Sequence, residues 1–373
     1  MPVSSHSEAR LPPHIPALDG VRGLAVILVV IRHTLSWPIE ISAHPGNWQF
    51  VLWYWTKMMW VGVDLFFVLS GFLITKILLE NHNSPRLFRT FYARRACRIL
   101  PLYFLVLVAA FLASIGLPHN ELWQKLFEYH APWSCYATLT QNLFAGWSGT
   151  TGGIALAVTW SLAVEEQFYL VLPSVTRFFP KQWLPWLFAG GIPCALLARL
   201  HWNDPRSYYW SPSHADSLLI GCLLAWVCLQ PPAFAWLQRQ GSGLNLLLGV
   251  LAAGMLIINQ MPEYYVWISD TWFSLFFGVL LLTALTQPRH WLTRFLQLGW
   301  LRFMGDISYA VYLLHFPILA ALFWILRGTT SAIYTVSDLL IPALTLVITI
   351  ALASLSLAFF EKKWIKLGHR AKY

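Results

Sequence analysis

The chain has 373 residues, 57% of them apolar and only 11% charged, with a mean hydropathy of +0.57. An ordinary soluble domain carries about 25% charged residues, so a water-soluble domain and a disordered chain are both excluded. The net charge of +9 would suit nucleic acid in a soluble protein. In a membrane chain it reads as a cytoplasmic surplus of Lys and Arg, so no nucleic-acid partner is expected.

Taken in order, the N-terminal residues are rich in proline and poor in basic residues, which argues against a cleavable signal peptide. The first apolar run, Val21 to Trp37, reads as a retained helix. Further apolar segments follow at roughly 58–79, 100–117, 164–179, 184–200, 214–229, 244–260, 271–287, 305–326 and 336–360. Several approach the lower length limit for a hydrocarbon core of about 30 Å. With the N-terminus inside, 17 basic residues fall on inner segments and five on outer ones. That asymmetry supports an even number of spans with both ends inside. The expected fold is therefore an all-α polytopic membrane protein of about ten transmembrane helices with both termini cytoplasmic. Its tails are residues 1–17 and a basic stretch at 363–373, flanking a membrane domain over 18–362. The longest outer stretch, about 118–160, is aromatic and ends in a glycine-rich run, long enough to dip back into the protein. The five cysteines have no CxxC pair and read as packing residues.

Charges within apolar helices are costly, so each needs a reason. Asp19 and Arg22 are three residues apart and can pair on one face. His33 lies eleven residues beyond Arg22, about 16 Å along a helix and offset by about 20°, so the two share a face. A histidine there is either a packed, hydrogen-bonded ring or a general base. Arg32 either snorkels to the outer surface or holds an interior carboxylate. Asp64 in GVDLFFVLSGFLI is level with His33 and could fix its tautomer or pair with Arg32. Ser70 and Gly71 permit close helix contact.

Arg86, Arg89, Arg94, Arg95 and Arg98 crowd the start of the next helix. They suit either lipid headgroups or a phosphate-bearing ligand from the cytoplasm. Glu165 and Glu166 are adjacent acids on an apolar helix, with Ser161 or Thr159 as possible caps and Trp160 and Tyr169 suited to an interface belt. His214 and Asp216 start another span. Asp306, Tyr309, Tyr312 and His315 occupy GDISYAVYLLHFP, where Pro317 would loosen the helix. Glu361 reads as an interfacial anchor. The histidines are too scattered for a metal site, no permanently bound cofactor is expected, and no Walker, HExxH or dinucleotide motif occurs.

In this order and spacing, LDGVRGLAVILVVIRH, GVDLFFVLSGFLI, FYARRACRILPLY, WSLAVEEQFY, GDISYAVYLLHFP and the terminal FEK resemble the bacterial acyltransferase-3 family of integral-membrane O-acyltransferases. The resemblance runs over nearly 345 residues. It implies transfer of an acyl group, usually acetyl, from acyl-coenzyme A in the cytoplasm. The acceptor it implies is a sugar hydroxyl of a surface glycan, a lipid-linked precursor or a glycoside. It also implies that His33 is catalytic with Arg22 its companion, and that Asp64, Glu165 and Glu166 belong to the site. Arg89, Arg94, Arg95 and Arg98 would hold coenzyme A. Multiple spans and coenzyme A supply together point to the bacterial inner membrane. Two departures stand out. His214 replaces an arginine usual two residues before Asp216, with Arg206 a candidate to compensate, and the soluble esterase-like domain of some relatives is not expected here. The rival reading is a transporter of a lipid-linked or anionic solute, which inverted repeats would favour; none is evident.

Overall fold

A computed structural model of the chain describes residues 11–12, 14–40, 43–128, 130–202, 204–261, 269–329 and 332–373. Among them the regular structure is helical. Ten principal helices account for most of it: α1 (Pro16–Ile31), α2 (Gly62–Glu80), α3 (Leu87–Gly116), α4 (Thr159–Phe178), α5 (Leu184–Trp202), α6 (Ala215–Cys228), α7 (Gly241–Ile258), α8 (Asp270–Thr286), α9 (Ser308–Arg327) and α10 (Leu340–Ser356). Each overlaps one expected apolar segment, although α3 begins at Leu87, well before its expected start near residue 100. The chain is an all-α polytopic membrane protein. Among the described residues six helical segments are long and apolar enough to cross a membrane, or seven if α6 and the helix Pro231–Gln238, bent by 99° from it, are one span. The helices α1, α4 and α8 fall outside that set because they are short or carry polar residues.

Burial separates the helices into a hub and a rim. The segment ending in α2 is 78% buried over its most apolar window, while α7 is 11% buried and α10's segment 17%. The rim helices present Leu246, Ile257, Leu340 and Val347 outward. In lipid this exposure is the solvated state rather than a liability. The hub is drawn tight by small residues. A Cβ on Gly71 would sit 2.0 Å from the Leu218 carbonyl oxygen, and one on Gly221 would sit 2.1 Å from that of Val68. Helices α2 and α6 therefore touch backbone to backbone, the close packing that small residues permit in membranes. Gly23 plays the same part between α1 and the short helix Gly299–Asp306.

Two features of α1 were not legible as a simple span. The helix starts at Pro16, inside the expected tail, with proline at its first position, where its missing N–H costs nothing. At its other end Arg32–Ser36 winds as a π-turn, with the Trp37 N–H reaching back to the Arg32 carbonyl. Pro38 follows and cannot donate to the Thr34 carbonyl, which leaves room for the wider turn. Such π-turns recur at functional sites, and this one carries His33.

The stretch between α3 and α4 folds back into the bundle. Ile154, Ala155, Leu156 and Val158 are buried, and the Ile154 and Ala155 N–H groups bond to Lys125 and Leu126 carbonyls. The C-terminal residues 363–373 are tied to α3, although most of their side chains are exposed. Thr90 and Arg94 of α3 donate to the Lys372 and Ala371 carbonyls. All five cysteines are free thiols.

Candidate active site

The π-turn aims His33 into a cavity of about 1140 Å³, somewhat above the ~300–1,000 Å³ of most small-molecule sites. Arg32, Trp37, Trp60, Trp160, Tyr208 and Tyr312 are among its walls, and the 121–128 and 150–154 segments form its rim. It opens at the end of the bundle where α2, α4, α6 and α8 begin. His33 is half-buried, so its ring meets the cavity without being immersed in solvent. The ring stacks on Phe316, with centroids 4.6 Å apart and planes 14° from parallel. Its Nδ1 lies 2.8 Å from Nε2 of the fully buried His315. His315 Nδ1 in turn lies 2.9 Å from the Val311 carbonyl oxygen.

Asp64 does not serve His33. It is buried among Ser217, whose hydroxyl donates to it at 3.2 Å, and His214, whose Nδ1 is 3.8 Å away. The reason is the pairing of α2 with α6. Gly71 and Gly221 bring these helices into backbone contact, and the Asp64 face of α2 turns toward α6 rather than α1. His214 is fixed by its own Nε2, 2.6 Å from the Tyr208 carbonyl.

The arginine missing beside Asp216 is supplied from α5. Arg199 makes a bidentate pair with Asp216 at 2.6 and 3.2 Å and also donates to Thr271 at 2.5 Å and to the Ser213 carbonyl. Arg206, the sequence candidate for that role, instead pairs with Asp204 at the surface. Arg199 sits near the end of the preceding principal helix, and no spacing rule links it to Asp216 across the intervening loop.

At the opposite end of α1, Arg22 pairs with Asp19 at 3.2 Å, as its spacing implies. Arg95, Arg98 and Arg22 lie within electrostatic range of one another, with Glu165 close to Arg95 and Arg22. Glu165 accepts from Ser70 at 2.6 Å, so Ser70 has a partner beyond helix packing. Glu166 has a buried carboxylate oxygen without a hydrogen-bond partner. Arg95 lies over the Tyr169 ring, 5.3 Å from its centroid. Tyr169 and Trp160 are buried, which removes the interface-belt reading, and neither Ser161 nor Thr159 caps α4. Ser161 instead lies 2.6 Å from the Tyr312 hydroxyl. Glu361 is buried in a second π-turn and accepts from Ser356 at 2.8 Å, so it is not an interfacial anchor.

The expected coenzyme A arginines thus divide. Arg95 and Arg98 gather with Arg22 and the glutamates. Arg94 is committed to the C-terminal carbonyl of Ala371 and to the Tyr373 ring, and Arg89 stands exposed on the outside of α3. The first described helix begins and the chain ends at this same arginine-rich end.

Residues 15–359 match the family described as an acyltransferase domain. The chain belongs to this acyltransferase family. It is 28% identical to the peptidoglycan O-acetyltransferase OatA of Listeria monocytogenes over 95% of its length and 56% of that protein's. It is 27% identical to the O-acetyltransferase OatA of Staphylococcus aureus over 96% of its length and 58% of that protein's. The chain therefore spans a little over half the length of the curated relatives it matches. No solved structure matches it.

Proposed function

We propose that the chain is a membrane O-acyltransferase that moves an acyl group, acetyl by preference, from acyl-coenzyme A to a hydroxyl of a glycan, a lipid-linked sugar or a glycoside. The observation that carries this reading is the placement of two chemistries along one helix. His33 faces the cavity at one end of α1, and the Arg22–Arg95–Arg98 cluster lies about 16 Å away at the other. Three gathered guanidiniums present fork-shaped donors that match phosphate oxygens. Coenzyme A phosphates entering from the cytoplasm suit those donors, and the separation suits an extended pantetheine arm. Ten spans, both termini cytoplasmic and residence in the bacterial inner membrane complete the reading. No permanently bound cofactor is required. Peptidoglycan, the substrate in the name of the Listeria relative, is one acceptor of the proposed class.

The chemistry balances without further reagents. A ring nitrogen of His33 takes the acceptor's hydroxyl proton as its oxygen attacks the thioester carbon. The carbon–sulfur bond breaks and the proton passes from His33 to the departing thiolate. Arg32, which lines the same cavity, supplies positive charge near the developing oxyanion. Glu165 and Glu166 balance the arginine cluster, and Asp64 holds the α2–α6 hub in which the cavity wall is built.

Sidedness tests this reading. In sealed membrane vesicles of known orientation, labelled acetyl-coenzyme A presented only at the arginine-rich face yields acetylated glycan. Equal transfer from acetyl-coenzyme A confined to the opposite face would refute the proposed donor route.

A further inference from the structure

We propose that His315 is the positioning residue for His33: it fixes the ring in the tautomer that leaves Nε2 bare toward the cavity, and it shares the proton taken up during transfer. This deepens the function proposed above and rests on His33 being its base.

The direction of each hydrogen bond follows from the one partner that cannot change roles. The Val311 carbonyl only accepts, so the His315 nitrogen 2.9 Å from it, Nδ1, carries a hydrogen. A neutral His315 then has a bare Nε2. Its neighbour at 2.8 Å is Nδ1 of His33, which must therefore be the donor. Neutral His33 with hydrogen on Nδ1 has its lone pair on Nε2. Were His315 absent or protonated, the His33 Nδ1–H would lose its acceptor and the opposite tautomer, which cannot act as base through Nε2, would be free to form.

The surroundings leave His315 as the orienting group. It is fully buried, and Phe316 stacks on both imidazoles, with centroids 4.6 Å from His33 and 5.9 Å from His315. Asp64, the carboxylate level with His33 in sequence, is bound to Ser217 and faces His214. The His315 ring thus stands where a carboxylate would ordinarily orient a catalytic histidine.

The proton path closes. When Nε2 of His33 accepts the hydroxyl proton, the Nδ1 proton moves along the 2.8 Å contact toward His315 Nε2. The single positive charge is then spread over two rings, with the Val311 carbonyl dipole facing the far side. The Nδ1 proton returns as His33 Nε2 gives up its own to the thiolate. No proton is gained or lost by the pair.

The test compares acetyl transfer from labelled acetyl-coenzyme A by wild type, His33→Ala, His315→Leu and His315→Gln. A glutamine side-chain oxygen falls near the imidazole Nε2 position and accepts, while leucine fills space without accepting. The expected kcat of His315→Leu is about 100-fold below wild type, the scale of a lost general base. Its KM for acetyl-coenzyme A stays within about 2-fold, and His315→Gln recovers kcat to within about 10-fold of wild type. A leucine variant as active as wild type, or a glutamine variant as impaired as leucine, would overturn the proposal. A second measurement does not depend on any 315 variant folding. Solid-state nitrogen NMR of histidine-labelled wild type, with His33→Ala as the difference spectrum, should show His33 protonated at Nδ1 and bare at Nε2. The reverse tautomer would overturn the proposal. Transfer by His33→Ala equal to wild type would instead defeat the assignment of His33 as the base, while the NMR result would still decide the tautomer.

Discussion

Arg199→Ala is the substitution whose cost the structure specifies best. The Arg199 and Asp216 side chains are 2% and 0% exposed and meet at 2.6 Å. Thr271 donates to the same Asp216 oxygen at 2.6 Å, so the carboxylate is hydrogen-bonded but neutralised by one cation. Removing that cation strands a buried charge, which typically costs 3–5 kcal/mol, roughly. At about 2 °C per kcal/mol for a chain of this size, Tm falls by about 6–10 °C. Monitoring the folded fraction in detergent by size-exclusion chromatography after heating measures it. Arg199→Ala with Asp216→Ala should be milder than Arg199→Ala alone, because no charge is left without a partner. A single variant within about 2 °C of wild type, or a double variant worse than the single, would refute the argument that Arg199 neutralises this helix start.

Other substitutions follow the same geometry. Gly221→Ala places a Cβ 2.1 Å from the Val68 carbonyl oxygen and should cost about 1–3 kcal/mol by forcing α2 from α6, read as a lower Tm. Ser70→Ala removes the 2.6 Å hydrogen bond to Glu165 and should cost about 1.5–3 kcal/mol, with a raised KM for acetyl-coenzyme A if the cluster holds the donor. Arg206→Ala should leave transfer at neutral pH unchanged, since Arg206 binds Asp204 at the surface and not Asp216. Arg206, hydrogen-bonded to Asp204, holds that carboxyl below its ordinary value. The contribution is therefore present above the unfolded-state value of about 3.9 and lost only as pH falls through the lower folded one. A pH-dependent difference between Arg206→Ala and wild type near neutrality would contradict this.

What the sequence revealed and what it hid divide along one physical line. Helix positions were legible because each helix is an apolar run bounded by charge or proline. The distance between Arg22 and His33 along the first helical stretch was legible because spacing on one helix fixes separation. Asp19 with Arg22 was legible for the same reason. Partners on different helices were not. His315 is 282 residues from His33, and only the packing of α9 against α1 unites them. Arg199 meets Asp216 because α5 lies against the start of α6, and Asp64 turned from His33 because two glycines set the α2–α6 contact. The π-turn was also hidden, although Pro38 four residues past Thr34 is the local signal for it. The arginine run misled in part for a related reason. Arg95 and Arg98 gather with Arg22, but Arg94 and Arg89 point elsewhere on the same helix, Arg94 toward a C-terminal segment that composition alone presented as a free tail.

The central claim is that His33 performs the proton transfer for acyl movement. The most direct measurement is radiolabelled acetyl transfer to cell-envelope glycan in membranes carrying wild type or His33→Ala at matched, folded expression. The account predicts label in the glycan with wild type and a loss of about 10²–10⁴-fold with the variant. Equal labelling by both would contradict it.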